Sequence, residues 1–144
     1  MHIFEIMTSN VETLPSNYTL LDAAKKMRDL NVGAIPVLEE NRVVGMITDR
    51  DIVVRAIADE LNPANTSLKE VMSRDIFSCR ADDDVSEAAR IMEERRVRRL
   101  LVQDSKGDVT GIISLGDIAT HVSKDLSGEI IQQVSEPSFP RREG

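Results

Sequence analysis

Residues 45–52 read Gly45-Met46-Ile47-Thr48-Asp49-Arg50-Asp51-Ile52, and the pattern returns as Gly111-Ile112-Ile113-Ser114-Leu115-Gly116-Asp117-Ile118, displaced by 66 positions (45 to 111). Each copy runs glycine, two apolar residues, a hydroxyl residue, two variable residues, aspartate, isoleucine. The apolar pair suits the end of a buried strand, so the hydroxyl and the aspartate fall at a strand-to-helix turn. Three residues apart, they sit near one another on the first helical turn. An exposed helix start offers backbone N–H groups and a positive dipole end, which attract phosphate. An aspartate beside it can accept hydrogen bonds from the two hydroxyls of a ribose. For a single copy, an N-cap with first-turn charges is the better reading. Two copies in matching contexts favour a binding site.

Outward from these motifs the whole chain repeats. Met7 matches Met72, Thr19 matches Asp84, Asp22 matches Glu87, and Ala23-Ala24 matches Ala88-Ala89. Met27 matches Met92, Val32 matches Val97 and Val37 matches Val102, all at an offset of 65 (37 to 102). The turn Asp104-Ser105-Lys106-Gly107 is one residue longer than Glu39-Glu40-Asn41, which raises the offset to 66 at the second motif. The reading is a first repeat over 1–60, a second over 61–126, and a partly mobile tail over 127–144. A unit of this length is marginal alone, so the halves are expected to pack on each other.

Within repeat one, a turn over 3–7 leads to a brief strand at 11–14. Thr19 and Asp22 form a capping box ahead of Leu20, Ala23, Ala24, Met27 and Leu30, whose spacing predicts an amphipathic helix ended by Asn31 and Gly33. Residues 34–38 form a strand that Pro36 places near a sheet edge. Residues 42–48 form the next strand, and a helix starts at Asp49. A linker over 59–66 reaches a second capping box, Ser67 to Glu70. Repeat two follows with strand 76–79, helix 84–95, strands 99–102 and 109–114, and a helix from Leu115 to about Val122. Ser127-Gly128 stops that helix, and 129–134 allows one or two more helical turns. The fold class is therefore α/β (α+β), in tandem β-α-β-β-α repeats.

Composition narrows the function. A formal charge of −7 argues against nucleic acid as the main partner, and aromatics at 3% leave no stacking platform for single strands. The core must be aliphatic. Cys79 has no second cysteine to pair with, which fits a reducing, cytoplasmic setting, and it reads as a buried strand residue. His2 and His121 lack partners at ligand spacing, so a zinc site is weakly supported. No stretch is long and apolar enough to span a bilayer, and the start of the chain lacks signal-peptide character. No nucleophile–base pair or Walker-type loop is present, which argues against an enzyme.

The doubled Gly-x-x-Thr/Ser-x-x-Asp, each copy following a helix–strand unit and opening a helix, resembles the CBS domain pair (Bateman module) of the stand-alone bacterial type, over residues 1–126. The resemblance implies two repeats related by pseudo-twofold symmetry. It implies a regulatory, non-catalytic sensor binding AMP, ADP or ATP in clefts between the repeats, with no required cofactor. Association into a homodimer and an unidentified downstream protein are further implications. Asp51 and Asp117 match the ribose-binding positions, and Thr48 and Ser114 the hydroxyls that meet ribose or phosphate. Arg50 is placed to meet a phosphate, whereas Leu115-Gly116 removes that cation from the second copy. Arg98 and Arg99 match a basic pair for phosphates, with dimer or partner contact as the alternative. Arg95 and Arg96 read as cations favourable at a helix C-terminus. The motif of one repeat is expected to face strand edges of the other, which hold adenine. These are Thr8, Asn10, Val11, Val32 and Gly33, and Ser73, Asp75, Ile76 and Val97, although Asp75 is an unhelpful neighbour for an anion. The alternatives are a dimerising interaction module with empty clefts, or binding of S-adenosylmethionine.

Overall fold

The computed structural model describes residues 1–122. The strands are β1 (Thr8–Ser9), β2 (Leu14–Pro15), β3 (Ala34–Glu39), β4 (Arg42–Thr48), β5 (Ser78–Arg80), β6 (Arg99–Gln103) and β7 (Val109–Ser114). The helices are α1 (Leu20–Leu30), α2 (Asp49–Asp51, continuing as a π-helix over Ile52–Ile57), α3 (Val85–Arg95) and α4 (Leu115–Val122). Single 3₁₀ turns lie at Ile3–Glu5 and Leu68–Glu70. The mixed α+β class and the doubled element order agree with the sequence reading. The tail over 127–144 lies outside the described residues.

Two compact units form, and they do not follow the order of the chain. One joins Met1–Val11 to the chain from Phe77 onward, and the other is Glu12–Ile76. The first has a sheet in the order β1-β7-β6-β5, the second a sheet in the order β2-β3-β4. Each unit has its own core. Ile3 and Ile6 pack with Val85, Ala88, Met92, Leu100, Val102, Ile113 and Ile118. Leu68, Val71 and Met72 pack with Leu20, Ala23, Met27, Ile35, Val37 and Ile47. Each core therefore completes itself with a segment from the start of the other sequence repeat.

The helices start and stop as their residues require. Thr19 accepts from the Asp22 amide at 3.1 Å while the Asp22 carboxylate accepts from the Thr19 amide at 3.0 Å, a closed capping box. Asp84 caps α3 by accepting from the Ser86 amide and hydroxyl. Both helices end on a left-handed residue, Asn31 (φ 55°) and Arg96 (φ 59°), after which Val32 and Val97 donate back to Met27 and Met92. Met27 and Met92 are buried core residues.

Three local expectations are corrected. No strand forms over 11–13: the short strands β1 and β2 lie on either side of residues 10–13, which begin with Asn10 at φ 55°. The strand expected at 76–79 runs from Ser78 to Arg80. The linker over 59–66 is exposed as far as Asn65 apart from half-buried Pro63, and it ends on buried Thr66, whose carbonyl accepts from Leu20 and whose hydroxyl donates to Asn62 O at 2.8 Å. Pro36 lies in the central strand of its sheet, not at an edge. Its partner across the ladder is Met46, whose N–H and C=O both bond to Ser73 at 2.9 Å. Nothing therefore asks the proline for the donor it lacks.

Candidate functional site

Each copy of the doubled motif folds into the same local structure. The Thr48 amide donates to Asp51 Oδ2 at 3.0 Å, and the Asp51 amide donates to Thr48 Oγ1 at 3.0 Å. In the other unit the Ser114 amide donates to Asp117 Oδ2 at 2.9 Å, and the Asp117 amide donates to Ser114 Oγ at 3.0 Å. One oxygen of each carboxylate is thereby tied to the helix start, and the other is left for a further donor.

The glycine of each motif admits a segment from the other sequence repeat. A Cβ on Gly111 would lie 2.5 Å from Met7 Sδ and 2.8 Å from Thr8 O; on Gly45 it would lie 2.7 Å from Met72 Sδ and 2.8 Å from Ser73 O. Only a residue without a side chain allows this approach. Through it β1 pairs antiparallel with β7, Thr8 opposite Ile112 and Ser9 opposite Gly111. In the same way Ser73 bridges Met46.

The predicted site residues thus separate into two sets. With Thr48, Arg50 and Asp51 stand Val32, Gly33, Ser73, Asp75 and Ile76; with Ser114 and Asp117 stand Thr8, Asn10, Val11, Val97, Arg98 and Arg99. The segments Thr8–Val11 and Ser73–Ile76 do come from the opposite repeat. Val32, Gly33 and Val97 do not: Gly33 O accepts from the Asp49 amide at 3.0 Å, and Val32 and Val97 pack against the core of their own motif's unit. Their place follows from the hairpin β3–β4 and its counterpart β6–β7, which return each chain to its own starting edge. Asp75 and Asn10 are exposed, and Val11 and Ile76 are half-buried.

The basic residues divide unevenly. Arg98 O accepts from the Leu115 amide at 2.9 Å and Arg99 lies opposite Ser114 in the ladder, so both flank the second motif. Their counterparts beside the first are Gly33 and Ala34. Arg50 is exposed next to Asp51. Arg95 lies over the ring of Phe77 at 5.0 Å, a cation–π contact that accounts for it without a ligand.

In the first repeat the helix start is less free than the sequence suggests. The Asp49 amide bonds Gly33 O, the Arg50 amide bonds Asp49 Oδ1 at 2.8 Å, and the Asp51 amide bonds Thr48. Sequence reasoning also passed over Arg55. Its Nε stands 3.9 Å from Asp51 Oδ1 and its Nη1 donates to Val71 O at 3.2 Å. The spacing Asp51 to Arg55, one helical turn, was the available signal. Ser73 Oγ donates to the same Asp51 Oδ1 at 3.4 Å.

Cys79 is buried in β5, and burial, with the charges of Asp83 and Glu87, pushes its thiol up to about 12. It stays a neutral core residue. Among the described residues no group of three or more His, Cys, Asp or Glu is placed to hold a metal ion.

Comparison with known proteins bears on this arrangement. The CBS domain profile matches residues 3–57 and 68–124. The chain is 36% identical over 136 residues to the CBS domain-containing protein YhcV of Bacillus subtilis, covering 94% of this chain and 96% of that one. The crystal structure of TA0289 from Thermoplasma acidophilum, a conserved CBS domain protein of unknown function, superimposes with a TM-score of 0.79 at 31% identity, covering 93% of this chain and 74% of that one. The CBS domain pair of MJ0100, solved in complex with 5′-methylthioadenosine and S-adenosyl-L-methionine, superimposes with a TM-score of 0.76 at 26% identity, covering 86% and 97%. With two matched domains spanning most of its length and its doubled motif built twice over, the chain belongs to the CBS domain family, as a tandem pair.

Proposed function

We propose that the protein is a non-catalytic regulatory module that binds an adenosine-containing ligand, with AMP, ADP and ATP as the leading candidates. One observation carries this reading. Each motif aspartate holds one oxygen at a helix start, in a unit where the opposite repeat contributes a strand-edge segment beside the motif glycine, and at Asp51 the other oxygen already accepts from that segment's Ser73 Oγ. A ribose needs an acceptor for its paired hydroxyls, and a purine needs an open backbone edge beside it. Phosphates would meet Arg98 or Arg99 at one motif and Arg50 at the other. Thr48 and Ser114, already capping, would contribute through the same turn. The adenine edges would come from Thr8, Asn10 and Val11, and from Ser73 and Ile76.

A second reading, S-adenosylmethionine or 5′-methylthioadenosine in the same sites, is favoured by the ligands in the MJ0100 pair. It shares the adenosine half and differs in the tail: 5′-methylthioadenosine offers Arg98 and Arg99 no anion and S-adenosylmethionine a single carboxylate beside its cations, whereas a nucleotide offers a phosphate, which favours a phosphate here. We further propose a cytoplasmic homodimer. Val53, Val54 and Ile57, on the helical segment after Asp51, are each about half exposed, and an apolar stripe of this kind is usual where copies meet. Among the described residues no helix is long and apolar enough to cross a membrane.

Thermal denaturation with AMP, ADP, ATP, S-adenosylmethionine and 5′-methylthioadenosine tests the reading. A ligand at a hundred times its Kd adds about 2.7 kcal/mol to the folded state. A rise in Tm with AMP, ADP or ATP supports the nucleotide reading. A rise restricted to the sulfur compounds supports the second. No rise with any of the five leaves a dimerising interaction module.

A further inference from the structure

Resting on the nucleotide reading, we infer that the two sites are unequal: the Asp117 site takes a ribose first, and Arg55 is a latch that holds the Asp51 site in reserve. The two carboxylates are identically capped, so the difference lies in the second oxygen. Asp51 Oδ1 already accepts from Ser73 Oγ at 3.4 Å and faces Arg55 Nε at 3.9 Å. The guanidinium is anchored by its hydrogen bond to Val71 O at 3.2 Å, on the turn that leads to Ser73. Asp51 is correspondingly buried, at 8% exposure. A ribose must displace the serine hydroxyl and share the carboxylate with a cation before it gains anything from Asp51.

Asp117 has neither obstacle. The positions matching Ser73 and Arg55 are Thr8 and His121, both exposed, and among the described residues neither is bonded to Asp117. Asp117 is half-buried, open enough to be reached. The amides differ too. Asp49 caps the Arg50 amide with its own carboxylate, whereas Leu115 has no acceptor to offer the Gly116 amide. Arg99, opposite Ser114 in the ladder, adds positive charge beside this second motif. Acceptor, donor and charge therefore all rank Asp117 ahead of Asp51. Arg55 acts through Asp51, as a positioning residue, and its removal should free that carboxylate.

Calorimetry on the full chain with adenosine and with AMP tests this. Adenosine reports the ribose alone; AMP adds the phosphate. The parent should show a tight and a weaker event. Asp117→Asn, which keeps a side chain able to cap, should weaken the tight event by about tenfold or more, as expected for losing a charged acceptor. Arg55→Gln should strengthen the weaker event for adenosine by about threefold to tenfold, with a melting curve showing the fold intact. Loss of the tight event in Asp51→Asn but not in Asp117→Asn would overturn the ranking. Weaker AMP binding at the Asp51 site in Arg55→Gln, with adenosine unmoved, would make Arg55 a phosphate contact and overturn the latch. If neither the parent nor Arg55→Gln binds adenosine or AMP, the nucleotide reading itself fails.

Discussion

Replacing Gly111 by alanine adds one methyl group at the place where β1 crosses β7. That methyl would lie 2.5 Å from Met7 Sδ, 3.0 Å from Met7 Cγ and 2.8 Å from Thr8 O. The sulfur is the far end of a flexible side chain and can swing away. The carbonyl cannot, because Thr8 and Ser9 are held in the antiparallel ladder opposite Ile112 and Gly111. Either β1 lifts from the sheet or β7 bends into a core that includes Ile113. Overpacking of this kind costs about 1–3 kcal/mol, and a midpoint of about 2 kcal/mol lowers Tm by about 4–8 °C in a chain of this size. Circular dichroism melts and urea titrations of parent, Gly111→Ala, Met7→Ala and the double variant provide the measurement. The truncated methionine relieves the sulfur contact alone, so the double variant should be more stable than the sum of the single effects but still below Met7→Ala. Gly111→Ala melting at or above the parent, or strict additivity with Met7→Ala, would refute the close-approach argument.

Gly116→Ala should behave in the opposite way. Among the described residues its Cβ would meet only Ser114 Oγ, at 3.6 Å, on an exposed face of α4, so a gain of about 0.5–1 kcal/mol in urea titrations is expected. Ile3→Ala and Leu68→Ala remove fully buried residues from the two separate cores; each should cost about 2–5 kcal/mol, and hydrogen exchange should localise the first loss to residues 77–122 and the second to 12–76. Cys79 should resist a thiol reagent at pH 8 until denaturant is added. Its folded value of about 12 lies above the ordinary 9.0, so the unfolded chain ionises first, and stability should fall as pH rises from 9 toward 12. Rapid labelling of the native protein at pH 8 would contradict this burial.

Much of the architecture was legible from local chemistry. Thr19 with Asp22 announced the start of α1, and the stripe of Leu20, Ala23 and Met27 announced its buried face. The second copy of each signal, at a constant offset, announced that the pattern was built twice. The misplacement of Pro36 shows where local reading ends. A proline in a strand argues for an edge only if its ladder partner needs a donor. That partner, Met46, spends both backbone groups on Ser73, a residue 27 positions away (46 to 73). The site shows the same division. Asp51 and Asp117 were visible as repeated carboxylates, but the engagement of Asp51 by Ser73 depends on a contact across 22 residues.

The amino-acid sequence by itself determined the duplication, the helix caps, the aliphatic core stripes and the family. These follow from spacing, capping chemistry and periodicity, all of which act over a few residues. Only the tertiary structure decided which half of the chain each glycine receives. The segments at Met7 and Met72 carry the same pattern and so do the motifs at Gly45 and Gly111; pattern alone cannot distinguish pairing within a repeat from pairing across repeats. Packing chose the exchange: Ile3 is buried with the helices and strands that follow Phe77, and Leu68 with those that precede it.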